Sequence, residues 1–399
     1  MRRILALLAG AIAVAATACN GSAGAEVVST PAPGFGGTII PVDHPEPNEP
    51  PSVSIVVPGA VHAGIAAGFQ VLGRDPDDID LTGSLSFGDG TSPRLFGRGA
   101  LGAAQQYTYA RPGTYSIVAI LKDPRGGIGQ AETQLEVHPR KALFVQGYGS
   151  HSGCPDGAGF ASRLVDWMPG VLASERVDVA GPADLLYASY SGRWCDAGDG
   201  SNGAYADYSG GETCGGIDDP GGIAAGLREQ IDAVAPAKVT IVGHSMGGLA
   251  AAWLVGSDPV WARRHIASVV TFDSPLGGVP QVNLSLLRIG GECSFNSKSI
   301  ADLSDANRSI VETAAAAAGI VPFYNLDATN LEGLLILDLR QPVPGDRTHL
   351  AGEVLHWELP TTHNGIWNAA PGDEALGPLV RAAVACAIEL VPAWACRVE

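Results

Sequence analysis

Basic residues are in short supply. The chain has 24 Lys+Arg against 41 Asp+Glu, a net charge of −17 over 399 residues, and lysine occurs only at Lys122, Lys141, Lys238 and Lys298. Phosphate binding needs a basic footprint, so no nucleic-acid partner is expected. Long apolar runs are also missing. Beyond Ile4–Ala18 nothing approaches the roughly 20 residues that span a bilayer. No two of the seven cysteines form a CxxC pair, so thiolate zinc is a poor reading, and no metal or organic cofactor is expected. What is plentiful is glycine (53) and proline (28), which implies many turns, and 46% apolar residues, enough for a large core. The length suits two domains.

Residues 1–18 read as a signal peptide: Arg2 and Arg3, an apolar run too short to span, then Ala16-Thr17-Ala18-Cys19. That ending resembles a bacterial lipoprotein signal, which implies a lipidated Cys19 and a membrane tether; plain secretion is the alternative. Either way the protein is expected outside the cytoplasm. Six further cysteines in an exported chain imply disulfides. The expected pairs are Cys195–Cys214, Cys386–Cys396 and Cys154–Cys293. Residues 19–51, rich in Pro, Gly and acidic residues, form a spacer.

A multidomain chain follows, a β-sandwich and then an α/β domain. Over 52–138, short strand-like runs (Val53–Val57, Gly68–Leu72, Tyr115–Leu121, Thr133–Val137) alternate with Gly, Pro and Asp turns. Phe87-Gly88-Asp89-Gly90, with Tyr107, Tyr109 and Tyr115 further on and Asp123 at the close, resembles a PKD-type, immunoglobulin-like repeat. Such modules act as spacers or as contacts to a surface polymer or protein. Asp75, Asp77, Asp78 and Asp80 are read as an acidic turn in preference to a calcium site.

From 141 to 399 strands alternate with helices. Buried-strand runs stand at Ala142–Val145, Leu185–Tyr187, Val239–Val242, Ala267–Phe272, Val321–Tyr324 and Val354–Trp357. Helices are expected at Gly159–Ala173, Gly222–Val234, Gly247–Val255 and Ser299–Ala318. This alternation predicts a mostly parallel sheet covered on both faces. A Gly/Ser-rich insertion between Tyr190 and Gly222 is read either as a roof over the site or as a surface loop.

Gly243-His244-Ser245-Met246-Gly247-Gly248 follows a strand and opens a helix. Small residues at such a turn let a serine Oγ project above the sheet at a helix N-terminus. The segment resembles the nucleophile elbow of α/β-hydrolase lipases and esterases, which implies Ser245 as nucleophile. Gln146-Gly147-Tyr148-Gly149 resembles the oxyanion loop of those lipases, with Gln146 where a His is usual. The implied oxyanion donors are the backbone amides of Tyr148 and Met246. Thr271–Gly278 resembles the family's pocket segment, and Asp273 within it is read as structural or pocket-lining because it follows too early a strand.

His363, in Thr361-Thr362-His363-Asn364-Gly365, matches the family's loop histidine and is expected to be the base, ahead of His349 and His151. His244 is expected to point away, and His356 to belong to a strand. For the acid, the loop after the penultimate strand offers Glu332; Asp327 is the alternative acid and Asp338 comes third. The implied activity is hydrolysis of an ester or lipid substrate through an acyl-enzyme. An acyltransferase or polyester depolymerase on the same triad, and an inactive hydrolase-fold binding protein, remain as alternatives.

Overall fold

A computed structural model describes residues 47–97, 101–145, 147, 185–188, 194–196, 216–280, 298–329, 348–363, 365–366 and 377–396. The signal peptide, Cys19, the first part of the spacer, and Cys154, Cys214 and Cys293 lie outside the described residues. So do the expected helix Gly159–Ala173, His151, Tyr148, Glu332 and Asp338.

The first domain is built from β1 (Ser52–Val56), β2 (Val61–His62), β3 (Ala67–Arg74), β4 (Thr82–Ser86), β5 (Arg94–Phe96), β6 (Gln105–Tyr107), β7 (Gly113–Lys122) and β8 (Ile128–His138). Two sheets, β1-β3-β6 and β2-β8-β7-β4-β5, face each other. Strand alternation puts Ile117, Ala119 and Leu121 of β7 and Leu135 and Val137 of β8 inside. The Phe87 ring stacks on Tyr107 at 3.6 Å and takes the edge of Phe69 at 5.4 Å. Gly88, at φ +78°, has no room for a side chain, since a Cβ would lie 2.3 Å from Ser116 O. In the acidic turn, Asp75 Oδ1 accepts the Asp77 and Asp78 amides, and Arg125 pairs with Asp77 and Asp78. A guanidinium therefore supplies the positive charge there.

One residue separates β8 from β9 (Arg140–Val145), which opens the second domain. Polar contacts between the domains include Arg140 Nε donating to Ala63 O at 2.8 Å and His62 Nε2 donating to Pro236 O at 2.6 Å. Then follow β10 (Leu185–Ala188), β11 (Trp194–Asp196), α1 (Ile223–Ala233), β12 (Lys238–His244), α2 (Met246–Ser257), α3 (Pro259–His265), β13 (Ile266–Phe272), α4 (Lys298–Asp302), α5 (Arg308–Ala315), β14 (Phe323–Ala328), β15 (Leu355–Leu359) and α6 (Gly377–Glu389). The sheet order is β11-β10-β9-β12-β13-β14-β15, parallel except for the β11 edge.

The sheet is apolar on both sides. Leu143, Val145, Ile241 and Val269 pack with α1, α2 and α5, while Ala142, Phe144, Val242 and Val270 pack with α6. A disulfide joins Cys386 in α6 to Cys396, as expected from their spacing. The expected Ser299–Ala318 helix is broken. Ser304 bridges to Val279, and Asn307 Nδ2 donates to buried Asp302 at 2.7 Å, so the chain turns between α4 and α5. Among the described residues no helix is long and apolar enough to cross a membrane.

Candidate active site

The end of β12 is crowded, and the crowding dictates its sequence. A Cβ on Gly243 would lie 2.6 Å from Gly248 Cα, and one on Gly248 would lie 2.0 Å from Ser274 Oγ. Between them Ser245 sits at φ 53°, ψ −125°, a left-handed conformation that costs a non-glycine residue on the order of 1–3 kcal/mol. Hydrogen bonds hold it: Ser245 N donates to Phe272 O at 3.0 Å, and Ser245 O accepts from Gly248 N at 3.1 Å. Helix α2 begins at the next residue, Met246, so its first amides point back toward the serine without an intrahelical partner. Gly147, just past β9, lies against Ser245; a Cβ there would come 2.7 Å from Ser245 Cβ and 3.2 Å from its Oγ.

His363, four residues past β15, is nearly buried and its Nδ1 lies 2.5 Å from Asp273 Oδ2. Asp273 is fully buried and immediately follows β13, at φ 44°, a conformation aspartate tolerates better than most residues. Its amide donates to Leu326 O at 2.7 Å, and its Oδ1 accepts the Ala328 amide at 3.3 Å. The carboxylate is thus locked between two strand ends, with one oxygen on the imidazole.

Asp273, read from the sequence as structural or pocket-lining, is thus the carboxylate that meets His363, whereas Asp327, the alternative acid, meets a different histidine. Asp327 Oδ2 lies 2.6 Å from His356 Nε2, an ion-pair contact and not a straight hydrogen bond, and accepts from Thr348 Oγ1. Contacts with Asp327 and then Glu353 push His356 up to about 10. In the metal-free chain an imidazole so held keeps its proton at neutral pH and does not take one from a serine.

His244 does not point away, as the sequence suggested. It is buried, its Nε2 donates to the His363 carbonyl at 2.9 Å, and the two rings lie 4.7 Å apart. Burial, then repulsion from His363, pulls its pKa well below the ordinary value despite that hydrogen bond, so the ring is neutral. The residue beside the serine therefore packs on the loop histidine and brings Ser245 and His363 to one rim of the sheet. His265 stacks on Trp261, away from this rim.

Residues 229–289, which include the Ser245 turn and Asp273, match the family model of the PGAP1-like alpha/beta domain. No curated protein matches the chain. Among solved structures, the RedJ thioesterase from the prodiginine biosynthetic pathway of Streptomyces coelicolor is 14% identical, over 63% of this chain and 91% of that one, at a TM-score of 0.31. The first domain is similar to the PKD1 domain of Vibrio anguillarum Epp (17% identical, 23% of this chain, 96% of that one, TM-score 0.19). It is also similar to the PKD domain of human SorCS2 (22% identical, 29% and 95% covered, TM-score 0.21).

Proposed function

We propose that the chain is a serine hydrolase that cleaves carboxylic esters through an acyl-enzyme, with Ser245 as nucleophile, His363 as base and Asp273 as acid. The observation that carries this reading is the buried His363–Asp273 pair at the rim where Ser245 is held in a strained turn. Asp273 accepts the Nδ1 proton of His363, which leaves Nε2 as the basic nitrogen. His363 takes the Ser245 proton as Oγ attacks the ester carbonyl, then returns it to the departing alcohol. Water attacks the acyl group by the same route in reverse. The Met246 amide, at the start of α2, supports the developing oxyanion, and the Tyr148 amide is the proposed second donor. Neutral His244 braces the His363 backbone without adding a competing charge.

The export signal and the lipid on Cys19 belong to the same proposal, which places the enzyme outside the cytoplasm, with the PKD-like sandwich as spacer or surface contact. Labelling with radioactive palmitate, lost in Cys19→Ser, checks the anchor. A fluorophosphonate probe checks the chemistry: it should label the wild-type chain once, and Ser245→Ala should abolish both labelling and hydrolysis of p-nitrophenyl esters. A wild-type chain that neither labels nor turns over any chain length from short to long is a binding protein instead.

A further inference from the structure

The segment between β14 and β15 carries a group of side chains that ester hydrolysis does not use. His349, Glu353 and His356 each send one donor atom to a common point. The two imidazole Nδ1 atoms lie 3.0 Å apart, His356 Nδ1 lies 2.8 Å from Glu353 Oε1, and His349 Nδ1 meets the same oxygen. We propose that this trio binds one divalent zinc-class cation through two imidazole nitrogens and one carboxylate oxygen, with a fourth position open to water, the ion displacing the Nδ1 proton that His356 otherwise carries.

Hydrogen bonding alone uses these atoms poorly. If both Nδ1 atoms carry protons, two N–H groups crowd onto one oxygen from positions only 3.0 Å apart. A zinc ion bonded at about 2.0–2.1 Å to each donor removes that crowding, and its ligands then stand roughly 3.3 Å from one another. The two imidazoles need to open by only a few tenths of an ångström, and the Glu353 carboxylate must draw back further, most of all from His349.

The surroundings are those of a built site. Glu353 Oε2 accepts from Asn325 Nδ2 at 2.8 Å and from Leu350 N at 3.1 Å, which fixes the rotamer that aims Oε1 at the imidazoles. Behind His356 stands Asp327, 2.6 Å from Nε2 and tied in turn to Thr348. A carboxylate on the far nitrogen of a ligating histidine is the usual outer support of a metal site. Asn325 and Asp327 are two residues apart on β14, so one face of a single strand supplies both supports. Glu353 and His356 are largely covered while the His349 side chain is 57% exposed, so an ion enters from the solvent side.

The donor set selects the ion. Calcium and magnesium require more oxygens than one carboxylate gives, whereas two imidazoles and a carboxylate suit zinc and its neighbours. The bound ion would clamp the 349–353 turn to β15, whose end leads to His363. Its outer carboxylate, Asp327, adjoins Ala328, whose amide touches Asp273. The site is a positioning device for the His363 loop and takes no part in bond breaking.

The test uses the full chain, stripped with a chelator and titrated with cobalt(II) and then zinc(II). One equivalent of cobalt should produce the visible d–d absorption of a four-coordinate site, zinc should bleach it, and either ion should raise Tm. His349→Ala should weaken binding by about 100-fold or more while leaving the metal-free Tm unchanged, since the side chain is exposed. Asp327→Asn should weaken binding by roughly 10–100-fold. No spectrum and no Tm shift in excess metal would reduce the trio to an ion-paired cluster. Binding undiminished in His349→Ala would place the ion elsewhere. Neither readout depends on turnover, so such a failure leaves the Ser245 proposal untouched.

Discussion

Two imidazoles, one within β15 and one just past its end, each meet an aspartate, and the difference between them bears on which could serve as a base. His363 meets one buried carboxylate, Asp273, and stands beside a neutral histidine. His356 stands between Asp327 and Glu353 and is pushed up to about 10. One carboxylate orients an imidazole and stabilises the charge it acquires in the reaction; two lock that charge in beforehand. Being near an aspartate is therefore not what makes a base. The balance of charge around the ring decides it.

The sharpest break of that comparison is His363→Ala. Turnover should fall by about 10⁶-fold, because loss of the base disables the serine, with the fold and Tm retained. Steady-state kinetics beside circular dichroism check this, and retention of more than about a thousandth of the rate would move the base elsewhere. A smaller loss is expected for Gly147→Ala. The added Cβ meets Ser245 Cβ at 2.7 Å, and a displacement of the nucleophile of about 1 Å costs on the order of 100-fold, chiefly in kcat.

The smallest effect is on pH dependence. His244 stays neutral when folded and takes up a proton when unfolded, so the stability it protects is present above about pH 6.5 and is lost as pH falls below that value. One such proton contributes a slope of about 1.4 kcal/mol per pH unit. His244→Gln should flatten the acid limb of a urea-stability profile by up to that amount. An unchanged slope would mean that other groups carry the acid limb.

Much of this was legible in the sequence because it rests on local crowding. The Ser245 turn announces itself through Gly243 and Gly248, whose neighbours leave no room for a Cβ. The two-domain order follows from strand alternation giving way to buried runs. The contact of Asp273 with His363 was not legible, because strand order in the chain does not fix which carboxylate reaches a loop. Strands β13 and β14 are neighbours about 4.8 Å apart, they end at one rim, and the His363 loop settles over β13. Strand β11 has three residues, too short to show a period. The break between α4 and α5 depends on buried Asp302, which also accepts the distant Ile217 amide at 2.7 Å and so lies beyond any local propensity. The His349–Glu353–His356 spacing was visible, but only the turn that folds it back brings the three donors together.

The most direct test of the central claim compares Asp273→Asn with Asp327→Asn in the same ester assay, with Tm measured for both. Asp273→Asn should lower kcat by about 10⁴-fold, because an amide opposite His363 Nδ1 favours the wrong tautomer and stabilises no imidazolium. Asp327→Asn should stay within about tenfold of wild type, since its partner is His356 and not the base. The reverse order, a large loss at Asp327 with Asp273→Asn near wild type, would contradict the assignment of Ser245, His363 and Asp273 as one catalytic unit.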